Sequence, residues 1–302
     1  MFDNIENTTY KQLIFLGLLI LIGMAIFIFG GLIVATGIWS TAEIEAAKNY
    51  ILDTPGQVNF MKYFQFITMF GTFVFPPLAL TLLMKNYNFS FLYLNRGLGA
   101  QKTIIIFALV LISLPIITML ANWNSTLHLP EFMSETETWI IEKDIQLTGL
   151  TERFMLTAGI GGLLINLLVM AVLPAFGEEF VFRGILMKWF SKSMGVHAAI
   201  FLSAFLFSAI HIQFLGFFPR FFMGLLLGYV FYWSGSLWAS ILLHFLNNAM
   251  TVVSYYLVGQ GILHDDPATM GGIDNTPMLL VNILVFMSVM YWYYRNRVSF
   301  KL

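Results

Sequence analysis

Three ionisable residues lie within six positions of an otherwise apolar segment. They are Glu178, Glu179 and Arg183, in the stretch FGEEFVFRG. A charge at membrane depth costs about 2.5 to 3.5 kcal/mol on insertion scales, so ionisable groups there usually face a protein interior and serve a function. On a helix, Glu179 and Arg183 share a face and can compensate each other's burial, whereas Glu178 points about 100° away. A membrane-border ion pair therefore explains Glu179 and Arg183 but leaves Glu178 as a candidate general base.

Two histidines and an asparagine extend this set. His211 ends the stretch FSAIH, and His244 begins the stretch HFLNN, in which Asn248 lies on the same helical face as His244. A lone intramembrane histidine is most often a hydrogen-bonded packing residue. A carboxylate, two imidazoles and an amide on three helices are instead the set that water-mediated acyl transfer requires. The sequence thus predicts that these side chains meet in one site.

These stretches resemble the motifs of a known family. In order and spacing they match the EExxxR, FxxxH and HxxxN motifs of the CAAX-protease and bacteriocin-processing family of intramembrane endopeptidases, with Phe207 opening the second motif. The resemblance covers about 160–258. It implies a membrane hydrolase that cleaves a membrane-associated peptide or protein tail. Glu179 and Arg183 would then fix the helix or hold the carboxy end of the substrate.

The resemblance also implies a role for each of the four central residues. Glu178 would activate water for attack on the scissile amide, and His211 would hold and polarise that water. His244 and Asn248 would donate hydrogen bonds to the oxyanion of the tetrahedral intermediate. Cleavage would take place near the cytoplasmic face.

The family has also been described as metalloproteases, which leaves a second mechanism open. Glu178, His211 and His244 would supply a two-histidine, one-carboxylate ligand set with a position left for water. Against it, the three ligands come from three helices, and no histidine is followed by glutamate as in HExxH. We expect a glutamate mechanism without a cofactor and keep zinc on these three residues as the alternative.

Composition defines the class of protein. The chain has 302 residues, of which 59% are hydrophobic and 10% charged, against roughly 25% charged in soluble domains. It therefore has too little polar surface for a soluble globule and is an integral membrane protein. The net charge of −1 and the scattered basic residues give no nucleic-acid surface, and the absence of cysteine excludes disulfides and thiolate metal sites. The oligomeric state is left open.

Apolar runs predict an all-α polytopic bundle of about eight transmembrane helices, because a helix needs about 20 apolar residues to cross a bilayer. The runs are 13–39, 61–84, 103–122, 154–176, 198–215, 219–234, 237–258 and 277–295. Three regions follow from these runs: 1–153 with N-terminal helices and an outer loop, 154–258 as the catalytic core, and 259–302 as a last helix and tail.

Loop charges predict the orientation, since cytoplasmic loops are enriched in lysine and arginine. The 40–60, 123–153 and 259–276 connections are acidic, the last through Asp265 and Asp266 among others. The 85–102 and 184–197 connections and the tail are basic, with Lys85 and Lys301 contributing. Both termini are therefore predicted in the cytoplasm, at the inner membrane if the cell is bacterial, and the site should open there. Arg220 does not fit this pattern, because it is a basic residue in a predicted outer turn.

Three smaller features complete the sequence picture. Pro174 cannot donate to the carbonyl of Met170, which should loosen the helix before Glu178. The segment 130–150 could form an interfacial helix, and the GxxxG pattern from Gly224 to Gly228 favours close helix packing.

Two other classes of function remain open. One is a membrane scaffold or sensor that binds such peptides without cutting them. The other is a proton-coupled transporter in which buried glutamate and histidine relay protons.

Overall fold

The computed structural model describes residues 9–83, 90–157, 159–264, 267 and 269–298. Ten helices and no strand are present in these residues. The helices are α1 (Thr9–Ala35), α2 (Thr41–Lys48), α3 (Pro55–Leu83), α4 (Ala100–Ser125), α5 (Ser134–Met155), α6 (Gly159–Met194), α7 (Val196–Ala209), α8 (Phe217–Ser234), α9 (Leu237–Gly259) and α10 (Thr276–Arg295). A short 3-10 turn, Glu131–Met133, precedes α5.

Within the described residues, six helices are long and apolar enough to cross a membrane, namely α1, α3, α4, α6, α9 and α10. The predicted polytopic helical bundle is confirmed. The other two predicted spans are present as the helices α7 and α8. With 14 residues, α7 is about 21 Å long and falls short of the roughly 30 Å hydrocarbon layer. It stops at Ala209, whereas the sequence predicted a span to residue 215.

The predicted interfacial segment is helical. It lies in α5, whose buried residues are Asp144, Leu150 and Met155. Trp139 and Ile145 on the same helix are exposed. Lys85, Asp265, Asp266 and Lys301, which contribute to the predicted loop charges, lie outside the described residues, so the orientation in the membrane stays a prediction.

The central element is α6, a continuous helix of 36 residues that continues past Arg183 and so extends well beyond the apolar run 154–176. It contains two π-helical segments, Leu168–Val172 and Phe180–Leu186. The first lies just before Pro174, and a third such segment, Phe70–Val74 in α3, lies just before Pro76. A proline lacks the N–H group for the helical bond and its ring crowds the preceding turn. The wider π turn accommodates both effects and keeps each helix continuous.

The main hydrophobic core surrounds α6. Its fully buried side chains include Ile185, Met187 and Trp189 of α6, Phe231 of α8 and Leu237 of α9. A second core joins α4, α8, α9 and α10. Phe207 of α7 also belongs to the main core, so the motif-bearing helices α6, α7 and α9 are held against one another by packing.

Close packing of α7 on α8 depends on the two glycines of the GxxxG pattern. A Cβ atom added to Gly224 would lie 2.9 Å from the Cα atom of Ala204, and one added to Gly228 would lie 2.8 Å from Ile200. Both contacts are inside the same protein chain. The predicted role of the pattern in helix packing is therefore confirmed.

Replacing Gly224 with alanine is expected to lower the free energy of unfolding by about 1 to 3 kcal/mol, because the new methyl group would overlap the backbone of Ala204. Thermal unfolding in detergent, followed by circular dichroism, measures the loss. The matched control is Gly17→Ala in α1, where an added carbon would meet no atom within 4 Å. Equal melting temperatures for the two variants would contradict this packing.

Candidate active site

The pair Glu179–Arg183 is buried in the middle of α6 and not at a membrane border. Both side chains are fully buried, and Nη1 of Arg183 lies 2.6 Å from Oε1 of Glu179. Nη2 of Arg183 donates to the carbonyl of Gly224 in α8 at 2.9 Å. The guanidinium also lies 4.7 Å from the ring centroid of Phe207 in α7. One ion pair thus connects three helices.

Glu179 has a second contact, with His244 of α9. Its Oε1 atom lies 2.9 Å from Nδ1 of His244. An ionised carboxylate can only accept, so Nδ1 carries the proton. The other ring nitrogen, Nε2, then faces Glu178, whose Oε2 atom is 3.9 Å away. The sequence did not predict this orienting role of Glu179, because it depends on α9 crossing α6 at that point.

His211 lies just beyond the end of α7. Its Nδ1 atom is 2.8 Å from the carbonyl oxygen of Phe207. Because a carbonyl accepts, Nδ1 is again the protonated nitrogen and Nε2 is left for another partner. The ring of Phe207 also contacts both imidazoles edge-on, with centroids 5.4 Å from His211 and 5.7 Å from His244. Phe207 therefore separates and orients the two histidines.

The chain reverses directly after His211. Ile212 has a φ of +52°, which is a genuine outlier for a β-branched residue. Such strain costs about 1 to 3 kcal/mol and persists only where the surroundings impose it. We call residues 210–216 the α7–α8 turn. Asn124 accepts from the Phe218 N–H and donates to the Phe214 carbonyl, both at 2.9 Å.

Helix α5 also holds the α7–α8 turn, since Asp144 accepts from the N–H of Leu215 at 2.9 Å. The strained position after His211 is thus imposed by side chains from α4 and α5. Sequence motifs in 160–258 do not include these supports.

Asn248 uses the carbonyl that Pro174 leaves without a helical donor. Its Nδ2 atom donates to the oxygen of Met170 at 3.2 Å. Its Oδ1 atom lies 3.3 Å from Nδ2 of Asn247. The loosened turn predicted from Pro174 is therefore present as a π-helical segment, and the side chain of Asn248 connects it to α9.

The four central residues line one cavity of about 340 Å³, together with residues of α3, α4 and α8. Its lining is Gln65, Met69, Ile117, Met170, Pro174, Glu178, Phe207, His211, Pro219, Arg220, Met223, His244, Asn247 and Asn248. The geometry thus brings together the carboxylate, imidazoles and amide singled out in the sequence. Gln65, Asn247 and Arg220 are further polar groups that sequence reasoning did not assign to the site.

A second cavity, of about 480 Å³, shares Glu178 and His211 with the first. Its other lining residues are mostly apolar: Ile20, Met69, Thr72, Phe73, Val181, Phe182, Leu186, Leu206 and Ile210. It lies between α1, α3, α6 and α7. The two candidate residues therefore stand between a polar space and an apolar one.

One side of the first cavity lies in the half of the bundle that carries the acidic connections, whereas His244 lies closer to the opposite end, near the start of α9. Gln65 is closer to the start of α3, and Ile117 is closer to the end of α4, which are the helix ends next to the 40–60 and 123–153 connections. The α7–α8 turn lies at the same end, through Asn124 and Asp144. If the predicted orientation holds, this half faces away from the cytoplasm, unlike the opening that the sequence predicted.

The residues suggested as zinc ligands do not form a metal site in this arrangement. Across the described residues, no three histidine, aspartate or glutamate side chains are grouped so that they could hold an ion. The hydrogen bonds from Nδ1 of His244 and of His211 leave Nε2 of each ring available, so it is the spacing of the three side chains, and not these hydrogen bonds, that does not fit an ion.

The other histidines lie away from the cavity. His128 pairs with Glu137 at 2.7 Å on the surface, and His197 contacts the hydroxyl of Tyr229 at 3.1 Å. His264 is exposed. All three are exposed at the surface.

Comparison with known proteins identifies a family for the central part of the chain. Residues 160–250 match the family model described as type II CAAX prenyl endopeptidase Rce1-like. The match includes the whole of the EExxxR, FxxxH and HxxxN motifs and confirms the resemblance drawn from them. Searches of curated proteins and of solved structures found no match. The family is one of CAAX proteases, which supports a membrane-embedded peptidase.

Arg183→Met is expected to lower the free energy of unfolding by about 3 to 5 kcal/mol, since it leaves the Glu179 carboxylate buried without a cation. Thermal unfolding in detergent measures this. The double variant Glu179→Gln, Arg183→Met should lose less, because the amide oxygen can still accept from His244.

Arg153→Met is the matched control for Arg183→Met. It removes an exposed ion pair with Asp53 at 3.1 Å and should cost less than about 1 kcal/mol. Equal losses of unfolding free energy in the two single variants would show that the buried Glu179–Arg183 pair stabilises the protein no more than an exposed ion pair does.

Proposed function

We propose that the protein is an intramembrane endopeptidase that hydrolyses a peptide bond with water activated by Glu178. The premise is the CAAX-protease family match of residues 160–250. The observation that carries the proposal is that Glu178, His211, His244 and Asn248 line a single cavity. Helices α6 and α9 and the α7–α8 turn contribute these groups, so packing of the bundle is what assembles the site.

Glu178 is proposed as the general base. Its side chain is almost fully buried, yet it borders both cavities, so water in either can reach it. Unlike Glu179, it has no arginine partner within ion-pair distance among the described residues. A water held between Glu178 and Nε2 of His211 could lose a proton to the carboxylate as it attacks the amide carbon. The carboxyl group could then deliver that proton to the leaving amine.

His244 and Asn248 are proposed to bind the oxyanion. Asn248 has two N–H groups on its amide, of which one is used by Met170, so the second can donate. His244 donates from Nδ1 to Glu179, and donation from Nε2 as well requires the imidazolium form. That cation would lie between the carboxylates of Glu178 and Glu179. Each such donor is typically worth about 2.7 to 4 kcal/mol in the transition state.

The substrate class follows from the two cavities. Half of the residues that line the 340 Å³ cavity are polar and can bind a peptide backbone, whereas the 480 Å³ cavity is mainly apolar. A peptide or protein tail that is anchored in the bilayer could place an apolar group in the second cavity and its scissile bond beside Glu178. In this proposal 154–258 is the catalytic core, and 1–153 and 259–302 supply surrounding helices.

The face at which cleavage occurs follows from the orientation. The sequence predicted cleavage near the cytoplasmic face. Gln65, Ile117 and the α7–α8 turn instead favour an opening of the cavity towards the half of the bundle that carries the acidic connections. This is the outer half if the charge-based orientation holds.

Glu178→Gln is expected to lower the cleavage rate by about 10²- to 10⁴-fold, because the amide cannot accept the proton of water. His211→Ala should also slow cleavage. Mass spectrometry of membrane peptides incubated with the purified protein measures cleavage, and a binding assay with the same peptides should show that both variants still bind.

Glu142→Gln, at an exposed position on α5, is the matched control and should cleave at the wild-type rate. If the wild-type protein binds peptides and never cuts them, the peptidase proposal fails in favour of a scaffold or sensor. Proton-coupled flux in vesicles that depends on Glu178, with no bond broken, would instead indicate a transporter.

Cleavage without a metal has its own test. We expect the purified protein to keep its activity after exhaustive chelation and to contain no stoichiometric zinc by elemental analysis. Activity that is lost with the chelator and restored by zinc would establish the metal-dependent alternative on Glu178, His211 and His244.

A further inference from the structure

Arg220 is a cation in the wall of the candidate catalytic cavity that the proposed mechanism does not use. It lies in the first turn of α8 and lines the same cavity as Glu178 and His211. A cation is unfavourable in the first turn of a helix because the helix dipole is positive there. Local helix stability therefore does not explain an arginine at this position.

The guanidinium of Arg220 is held by neutral partners. Nη1 donates to the carbonyl of Gln213 at 3.4 Å, and Nη2 donates to the side-chain oxygen of the same residue. No carboxylate of the described residues lies within 4.0 Å of it, unlike Arg183, which is paired with Glu179. Arg183 and Arg220 thus differ in that only Arg183 has its charge matched by direct contact with a carboxylate.

The absence of a side chain at Gly216 leaves room for the guanidinium of Arg220 against the α7–α8 turn. A Cβ atom added to Gly216 would lie 2.7 Å from Cζ of Arg220 and 2.8 Å from Nη2. A side chain at this position would therefore displace the guanidinium. Together with Gln213, the glycine sets the position of Arg220 beside the cavity.

Nearby acids interact with Arg220 only at longer range. Asp144 and Glu178 both act on it electrostatically. Oδ2 of Asp144 is used by the N–H of Leu215, and Glu178 belongs to the catalytic set. The cavity therefore has an acid at one wall and an incompletely matched cation at another.

We propose that Arg220 binds a carboxylate of the substrate and so determines which peptides are cut. The inference rests on the proposed peptidase function and deepens it. The planar fork of a guanidinium matches the two oxygens of a carboxylate. Glu178 repels that carboxylate, so the bound peptide would direct it to Arg220 and present its amide to the base.

Arg183, which the sequence suggested for holding the substrate's carboxy end, is fully buried and engaged by Glu179 and Gly224. Arg220 is the guanidinium that lines the cavity and can take over this role. The carboxylate could be a free carboxy terminus or an acidic side chain close to the scissile bond, and both have the same chemistry.

The experiment compares matched peptide substrates with purified wild-type protein and variants. One pair differs in a free or amidated carboxy terminus, and another has glutamate or glutamine next to the cleaved bond. We expect wild-type protein to prefer the carboxylate member of one pair by about 10- to 100-fold in kcat/KM. Which pair shows the preference identifies the source of the carboxylate.

Arg220→Gln should remove the preference by slowing only the carboxylate substrate, whereas Arg220→Lys should keep part of it. Gly216→Ala, which displaces the guanidinium without removing it, should also reduce the preference. The matched control is Arg297→Gln at an exposed position after α10, which should leave the preference unchanged.

Two outcomes would overturn the inference. In the first, wild-type protein cuts both members of each pair equally. In the second, Arg220→Gln slows both members equally, which indicates a purely structural role in the α7–α8 turn. Either outcome leaves the proposed peptidase function intact, because that function fails only if no peptide is cut.

Discussion

The site depends on one buried carboxylate that must be compensated. Glu179 is fully buried, and its Oε1 atom accepts from Arg183 and from His244. Burying a carboxylate without such partners costs several kcal/mol, so the α6, α8 and α9 helices are arranged around it. Through Arg183 this group positions Gly224 and Phe207, and through His244 it selects the ring nitrogen that faces Glu178. Removing the charge from Glu179 would therefore alter the site without touching Glu178 itself.

This dependence gives the two adjacent glutamates opposite tasks. Glu179 has its charge balanced by Arg183 and lines neither cavity, whereas Glu178 borders both and has no arginine or lysine within 4.0 Å among the described residues. Their separation by one position on α6 places them on different faces, which is why one can hold the structure while the other stays available for chemistry. The π-helical segment Phe180–Leu186 begins directly after them. Segments of this kind often occur at functional sites.

Much of this arrangement could be predicted from residue types and spacing. The helical class follows from long apolar runs, and the separate roles of Glu178 and Glu179 follow from helical periodicity. The parts that could not be predicted depend on contacts between distant segments. The supports of the α7–α8 turn come from Asn124 and Asp144, far from the motifs, and the pairing of Glu179 with His244 requires two helices to cross. Arg220 was the one residue in the sequence that pointed to such a contact, because its positive charge did not fit a predicted outer turn. In the structure it lies in the wall of the cavity.

The shortness of α7 has a consequence for how hydrolysis is possible within a bilayer. A helix about 21 Å long cannot cover the hydrocarbon thickness, so the irregular backbone after Ala209 lies at a depth where lipid chains cannot satisfy its polar groups. Asn124 and Asp144 satisfy two N–H groups and one carbonyl of this region, and either a thinner bilayer beside the helix or solvent that penetrates to its end would satisfy the others. In both cases His211 marks the depth to which water is supplied. Water, the second reactant of the proposed hydrolysis, would then reach the site through a local defect in the membrane beside α7.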